Sequence, residues 1–180
     1  MIDEIFKVIK VLKNGGTILY PTDTIWGIGC DATNEQAVSK IFDIKKRVES
    51  KALISLVEDK NHLLKITNKV PEEADRKKPT TIIYNNISGL ASNLKAQNGS
   101  AAVRIVQDNF CQKLIKKFKK PIISTSANIS GKNSPTQFSE ISEEIKNNVD
   151  YIVNLRKNEI MNISSSIIKI NKDGSIQKIR

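Results

Sequence analysis

Three polar clusters and one lone arginine in this chain are of the types that could do chemistry. Pro21-Thr22-Asp23-Thr24-Ile25-Trp26-Gly27 crowds two hydroxyls, a carboxylate and an indole into one short segment. Such a segment can hydrogen-bond a small polar substrate against an apolar wall, or can close an Asx or ST turn on its own backbone. Lys45, Lys46, Arg47 and Lys51 group a guanidinium fork with ammonium groups. That set suits phosphate binding, and equally suits the negative C-terminus of a helix. Ser124-Thr125-Ser126-Ala127-Asn128 carries four hydrogen-bonding side chains in five residues, which need either turn structure or a ligand to be buried. Arg104 stands alone in the apolar run AAVRIV. If it is buried it requires an anionic partner, for which a substrate carboxylate would serve; strand alternation could instead turn it to solvent.

Two familiar nucleotide motifs are missing or misplaced. No P-loop sequence is present, so phosphates would be held by side chains and scattered amides. Gly27-Ile28-Gly29-Cys30-Asp31-Ala32 matches G-x-G-x-x-A, but that fingerprint must follow a strand directly and open a helix. Here Pro-Thr-Asp-Thr intervenes and the next helix begins near Asn34, so a dinucleotide-binding reading ranks last.

The elements that must position these groups follow from apolar spacing. Residues 3–13 place Ile5, Val8, Ile9 and Leu12 on one helical face, with Asp3 as N-cap and Gly15-Gly16 as the stop. TILY (17–20) reads as a strand ending at Pro21, followed by a polar loop and a helix from about Asn34 with Ala37, Val38, Ile41 and Phe42 on one side. Strands are predicted over 52–57, 80–84, 101–106 and 121–125, and helices over 59–66 and from an Asp108 cap to about Phe118. A helix near 138–147 and strands near 151–154, 164–170 and 175–179 complete the chain. Alternating strands and helices imply an α/β layered sheet. The closing turn around Lys172-Asp173-Gly174 makes the last pair antiparallel and the sheet mixed. Ligands in such sheets sit outside strand ends, which is where the PTDTIWGIG, KKRVESK and STSANISG loops lie.

Composition narrows the class. The 180 residues include 29 Lys+Arg against 19 Asp+Glu, a net charge of +10, with 39% hydrophobic residues and only 8 Gly and 5 Pro. That is enough apolar material for one real core, read as a single domain over 1–180, and it argues against disorder. Apolar runs are far short of a membrane span, and MIDEIFKVIK lacks the features of a secretory leader. A cytoplasmic protein is expected. Cys30 and Cys111 form no CxxC pair and read as apolar thiols; His62, the one histidine, reads as a surface or helix-packing residue. One His and two distant Cys cannot easily furnish a closed zinc site. The positive charge favours anionic partners such as nucleotides, RNA or acidic lipid without choosing among them, and KLIKKFKK (113–120) reads as a solvated helix face.

Taken together, YPTDTIWGIGCDA, Lys45-x-Arg47, AVR at 102–104, STSANISG with SPT at 134–136, and the terminal SSIIKI and IQKIR resemble the YrdC/TsaC family of threonylcarbamoyl-AMP synthases. These motifs occur in the family's order and span nearly the whole chain. The resemblance implies a twisted mixed parallel and antiparallel sheet flanked by helices around a basic concave cavity, in a minimal form without the extra C-terminal domain of longer members. It implies a reaction of L-threonine, bicarbonate or CO2, and ATP that gives threonylcarbamoyl-AMP and pyrophosphate, the first step toward threonylcarbamoyl-adenosine in tRNA. Such chemistry needs positioning and charge neutralisation more than a dedicated nucleophile.

By the family's motifs, Thr24, Arg104, Ser124 and Ser165 would hold threonine. Lys45, Arg47, Lys51, Ser100, Ser126, Asn128, Ser134 and Arg180 would contact ATP, and Lys45, Arg47, Ser126 and Asn128 would form the catalytic polar tetrad. Mg2+ would ride on the ATP phosphates with no metal held by the protein. Contact with tRNA or double-stranded RNA, and with tRNA-modification partner proteins, is expected, and a membrane is not. Departures from the family pattern fall at Val48, at Ala52-Leu53, at Leu56, at Lys78-Pro79-Thr80-Thr81 and at Ile105-Val106. A non-catalytic RNA-binding module of the same fold is the alternative, predicting salt-sensitive RNA binding without pyrophosphate release.

Overall fold

The computed structural model describes residues 1–46, 53–171 and 175–180. Nine strands form one sheet: β1 (Ile18–Tyr20), β2 (Gly27–Gly29), β3 (Ile54–Val57), β4 (Thr80–Tyr84), β5 (Ala101–Ile105), β6 (Ile122–Ser126), β7 (Tyr151–Ile152), β8 (Ser166–Ile170) and β9 (Ile176–Lys178). Their order is β7-β1-β2-β6-β3-β5-β4-β8-β9. Pairs β1–β7, β3–β5 and β4–β8 are parallel and the other five antiparallel, so the sheet is mixed as expected, and β8–β9 closes it antiparallel.

The helices are α1 (Ile2–Lys13), α2 (Glu35–Ile44), α3 (Lys60–Leu64), α4 (Asn109–Phe118) and α5 (Glu143–Asn148). Strand alternation splits the core into two layers. Ile18, Tyr20, Leu56 and Ile122 face α1 and α4, while Leu19, Val57, Val103 and Ile123 face α2 and its neighbours. Caps fall where short polar side chains precede apolar periodicity: Asn34 accepts from the Ala37 N–H at 3.1 Å and Asp108 from the Cys111 N–H at 2.8 Å. Asp3 does not cap α1. The helix begins one residue earlier, and Asp3 lies in its first turn, where a carboxylate complements the positive end. The helix expected near 138–147 is divided into a 3-10 turn at Phe138–Glu140 and the short α5, and further 3-10 turns occur at Glu72–Asp75 and Ser92–Leu94.

The main correction concerns Gly27–Gly29, read as loop and observed as a central strand. Glycine normally weakens a strand, except where another chain segment must approach closely. A Cβ on Gly29 would lie 2.3 Å from the Ile123 carbonyl oxygen and 2.7 Å from Tyr20 Cε1. Tyr20 is itself pinned there, its hydroxyl donating to the Ile123 carbonyl at 2.7 Å. The G-x-G pair therefore serves strand packing and does not open a helix. Gly29→Ala is expected to cost about 3 kcal/mol, because backbone and a bonded ring cannot give way, lowering Tm by about 6–12 °C; thermal unfolding checks this.

Both cysteines are fully buried. Burial pushes the Cys30 and Cys111 thiols far up, with neighbouring Asp31 and Asp108 adding to it. Because the thiolate is the reactive form, neither should react with a disulfide reagent at pH 8 in the native state, and both should react after unfolding. His62 is a helix-packing residue, buried with Nδ1 2.9 Å from Glu58 Oε2. No helix among the described residues is long and apolar enough to cross a membrane.

Candidate functional site

The floor of one cavity is one row of the sheet. Register aligns Ser124 with Ile54, Ile54 with Ala102, and Ala102 with Ile83 across β6, β3, β5 and β4. All four line a cavity of about 420 Å³, within the range of small-molecule sites. It occupies the same sheet face as α1 and α4, since Ser124 alternates in phase with Ile122. Thr24 and Ile25 from the β1–β2 connection, Arg104 from β5, Ser165 before β8 and Arg180 beyond β9 supply the walls.

Arg104 is buried, 3% exposed, so the solvent-facing alternative is excluded. Its anionic partner belongs to the protein: Nη2 donates to Asp23 Oδ1 at 2.8 Å and reaches Thr24 Oγ1 at 3.4 Å. Asp23 Oδ2 accepts from the Gln107 N–H at 3.0 Å. The ion pair is desolvated on both sides, with side-chain exposures of 2% and 7%. Arg104 Nε is buried with no hydrogen-bond partner, an uncompensated donor on a side chain that lines the cavity. The turn reading of the PTDT segment also holds locally, but through Thr22: its hydroxyl accepts from the Thr24 N–H at 3.1 Å and donates to the Ile25 carbonyl at 2.8 Å. Asp23, which the sequence offered only as one member of the polar 21–27 segment, is the partner of Arg104. A buried-strand arginine needing an anion was the available signal, but nothing in one dimension pairs residues 81 apart.

The wall opposite is built on the chain's end. Ser165 Oγ lies 2.9 Å from Thr81 Oγ1. Arg180 donates through Nε and Nη2 to the Ser165 carbonyl at 3.2 and 3.1 Å, and its backbone pairs with Ile167, which holds the terminal residue against the cavity.

Lys45, at the C-cap of α2, is buried rather than solvated. Its ammonium donates to the carbonyls of Ser126 at 2.5 Å and Asn128 at 2.6 Å, and its carbonyl accepts from the Ser130 N–H at 2.9 Å. The SAN turn is thus clamped onto α2. Asn128 Nδ2 donates to the Ile129 and Lys132 carbonyls, leaving Oδ1 buried with no partner. Beyond this turn lies a second cavity of about 460 Å³, lined by Asn128, Lys132, Ser134 and Glu140 among others; Ser134 borders both cavities.

Of the expected site residues, Thr24, Arg104, Ser124, Ser126, Ser134, Ser165 and Arg180 meet at the first cavity, Asn128 lies at the second and Lys45 beneath the turn between them. Ser100 is not brought to either cavity. It is buried just before β5, where its N–H bonds Asn98 and its carbonyl Ala96. Arg47 and Lys51, with the departures at Val48 and Ala52, lie outside the described residues. The first cavity is walled mainly by hydroxyls and aliphatic side chains, with two guanidiniums. At the departure near Val106, the backbone N–H donates to the Val57 carbonyl at 3.0 Å, a bond proline could not make. Among the described residues no group of three or more His, Cys, Asp or Glu could hold a metal ion.

A family model for Sua5/YciO/YrdC, described as telomere recombination, matches residues 10–180. The chain belongs to the Sua5/YciO/YrdC family. Among this family's members, a Pseudoalteromonas translucida protein named threonylcarbamoyl-AMP synthase is 32% identical over 155 residues, covering 81% of this chain and 82% of its own. A Methanocaldococcus jannaschii protein provisionally given the same name is 35% identical over 176 residues, 93% of this chain and 82% of its own. Among solved Sua5/YciO/YrdC structures, P. abyssi Sua5 complexed with L-threonine superposes with a TM-score of 0.86 at 26% identity, covering 98% of this chain. The chain spans only 53% of that Sua5.

Proposed function

We propose that the chain is a threonylcarbamoyl-AMP synthase. The observation that carries this reading is that Thr24, Arg104, Ser124 and Ser165, the residues expected to hold threonine, border one cavity, in a chain related to proteins of that name and to a Sua5 complexed with L-threonine.

In this reading the threonine carboxylate lies against Arg104 and Thr24. The threonine amine, as the free base, takes up CO2 with loss of a proton, or bicarbonate with loss of water, to give a carbamate, and a carbamate oxygen attacks the α-phosphorus of ATP. The P–O bond to the β-phosphate breaks and pyrophosphate leaves. Ser126, Ser134 and Arg180 lie along the same cavity and would contact the nucleotide, with Lys45 and Asn128 fixing the turn between the two cavities; Arg47 and Lys51 are proposed nucleotide contacts on the motif alone. Mg2+ is proposed to arrive on the phosphate oxygens and to neutralise charge as pyrophosphate departs. The adenylate would be consumed in tRNA modification in the cytoplasm, with partner proteins receiving it.

The test is pyrophosphate release by the purified chain with ATP, Mg2+ and bicarbonate, with and without L-threonine and with L-serine as control. Threonine-dependent release with an AMP-linked product is expected. ATP binding without any release would overturn the reading in favour of a binding module.

A further inference from the structure

Among the described residues, the two arginines that border the cavity are neutralised differently. The Arg104 guanidinium shares its charge with Asp23, and both side chains are more than nine-tenths buried. Arg180 rests on neutral acceptors, the Ser165 carbonyl and hydroxyl, and is exposed. Asp23 does not border the cavity, so it acts on a ligand only through Arg104 and through its field.

Building on the synthase reading, we propose that Asp23 is the specificity-determining residue that reserves Arg104 for the carboxylate of a net-neutral amino acid and excludes phosphate. The reaction brings two kinds of anion into one cavity, and a bare buried guanidinium would attract the more highly charged one. Paired with Asp23, the Arg104 subsite has no net charge, and the Arg104 Nε is buried with no hydrogen-bond partner. A zwitterion brings no net charge to such a site, and its carboxylate can lie against the guanidinium that Asp23 holds at the cavity wall. Phosphate or pyrophosphate brings more than one negative charge to a guanidinium whose attraction the Asp23 carboxylate offsets. At an effective dielectric of about 20, a unit charge a few Å away changes such a preference by about tenfold or more. The polyphosphate is thereby left to the Arg180 side, where no carboxylate is bonded to the guanidinium.

The experiment compares wild type with Asp23→Asn, measuring the threonine Kd and its competition by inorganic phosphate and by pyrophosphate. A change in guanidinium orientation would alter all three ligands together, so the ratio of phosphate to threonine Kd is the informative quantity. It is expected to fall about tenfold or more in Asp23→Asn and to stay put in Asp150→Asn, a carboxylate bonded to Thr17 away from the cavity. An unchanged ratio in Asp23→Asn overturns the assignment. Should that variant not fold, wild type alone decides: millimolar phosphate is expected to leave threonine binding unchanged, and competitive displacement would overturn the proposal. Wild type that neither binds threonine nor releases pyrophosphate overturns the synthase reading and this assignment together. Threonine-dependent release with an unchanged ratio overturns the assignment alone.

Discussion

Arg104→Ala is expected to abolish threonine-dependent pyrophosphate release and to destabilise the fold by about 3–5 kcal/mol, the cost of removing one partner of a buried ion pair. The magnitude follows from what is left behind. Asp23 would keep the Gln107 N–H but lose its compensating charge at 7% side-chain exposure. Thermal unfolding should register a Tm fall of about 6–20 °C. Because a collapse of the fold would also abolish turnover, the second site matters: adding Asp23→Ala removes the stranded carboxylate and should recover much of the stability without recovering threonine binding. Stability and binding returning together would remove Arg104 from the substrate site.

Lys45→Met should have the next largest effect. Methionine fills most of the lysine stem but offers no donor, so the Asn128 and Ser126 carbonyls both lose the ammonium, while the Ser126 carbonyl keeps the Asn128 N–H. Losing charge-assisted hydrogen bonds of this kind costs about 1.5–3 kcal/mol. The larger consequence is kinetic. The turn carrying Ser126 and Asn128 is held to α2 by Lys45, and a displacement of about 1 Å at such a turn lowers turnover on the order of a hundredfold. The threonine Kd should change little, since Arg104, Thr24 and Ser165 reach the cavity from other elements. Single-turnover pyrophosphate release and threonine binding, measured side by side, separate the two effects; turnover within twofold of wild type would detach the clamp from the chemistry.

Local signals carried most of the element boundaries. The 3.6-residue spacing of Ile5, Val8 and Leu12, the cap residues Asn34 and Asp108, and the apolar clusters at 80–84 and 101–105 each report on forces acting within a few residues, so they are readable in one dimension. The same locality explains the failure at Gly27–Gly29. Two glycines around an isoleucine look like a loop until Tyr20 and the Ile123 carbonyl are placed over them, and both come from other strands. The division of 138–147 was likewise hidden, since the periodicity continues across a break that Ser142 caps.

For the site, the resemblance to the family's motifs nominated Thr24, Arg104, Ser124, Ser126, Asn128 and Ser165; residue types alone pointed only to the polar clusters at 21–27, 45–51 and 124–128 and to Arg104. What the sequence could not express is which charges are shared. In sequence, Lys45 reads as a phosphate ligand or a helix C-terminal cation, and Arg104 as a buried residue needing an anion or an exposed one. Folding buries both, and a buried charge must be compensated at once, so one clamps the carbonyls of the SAN turn and the other takes Asp23 from the PTDT segment. That choice is made by strand register and the close approach of β1, β2, β5 and β6, since pairing energies depend on distance and desolvation, which only the tertiary structure sets.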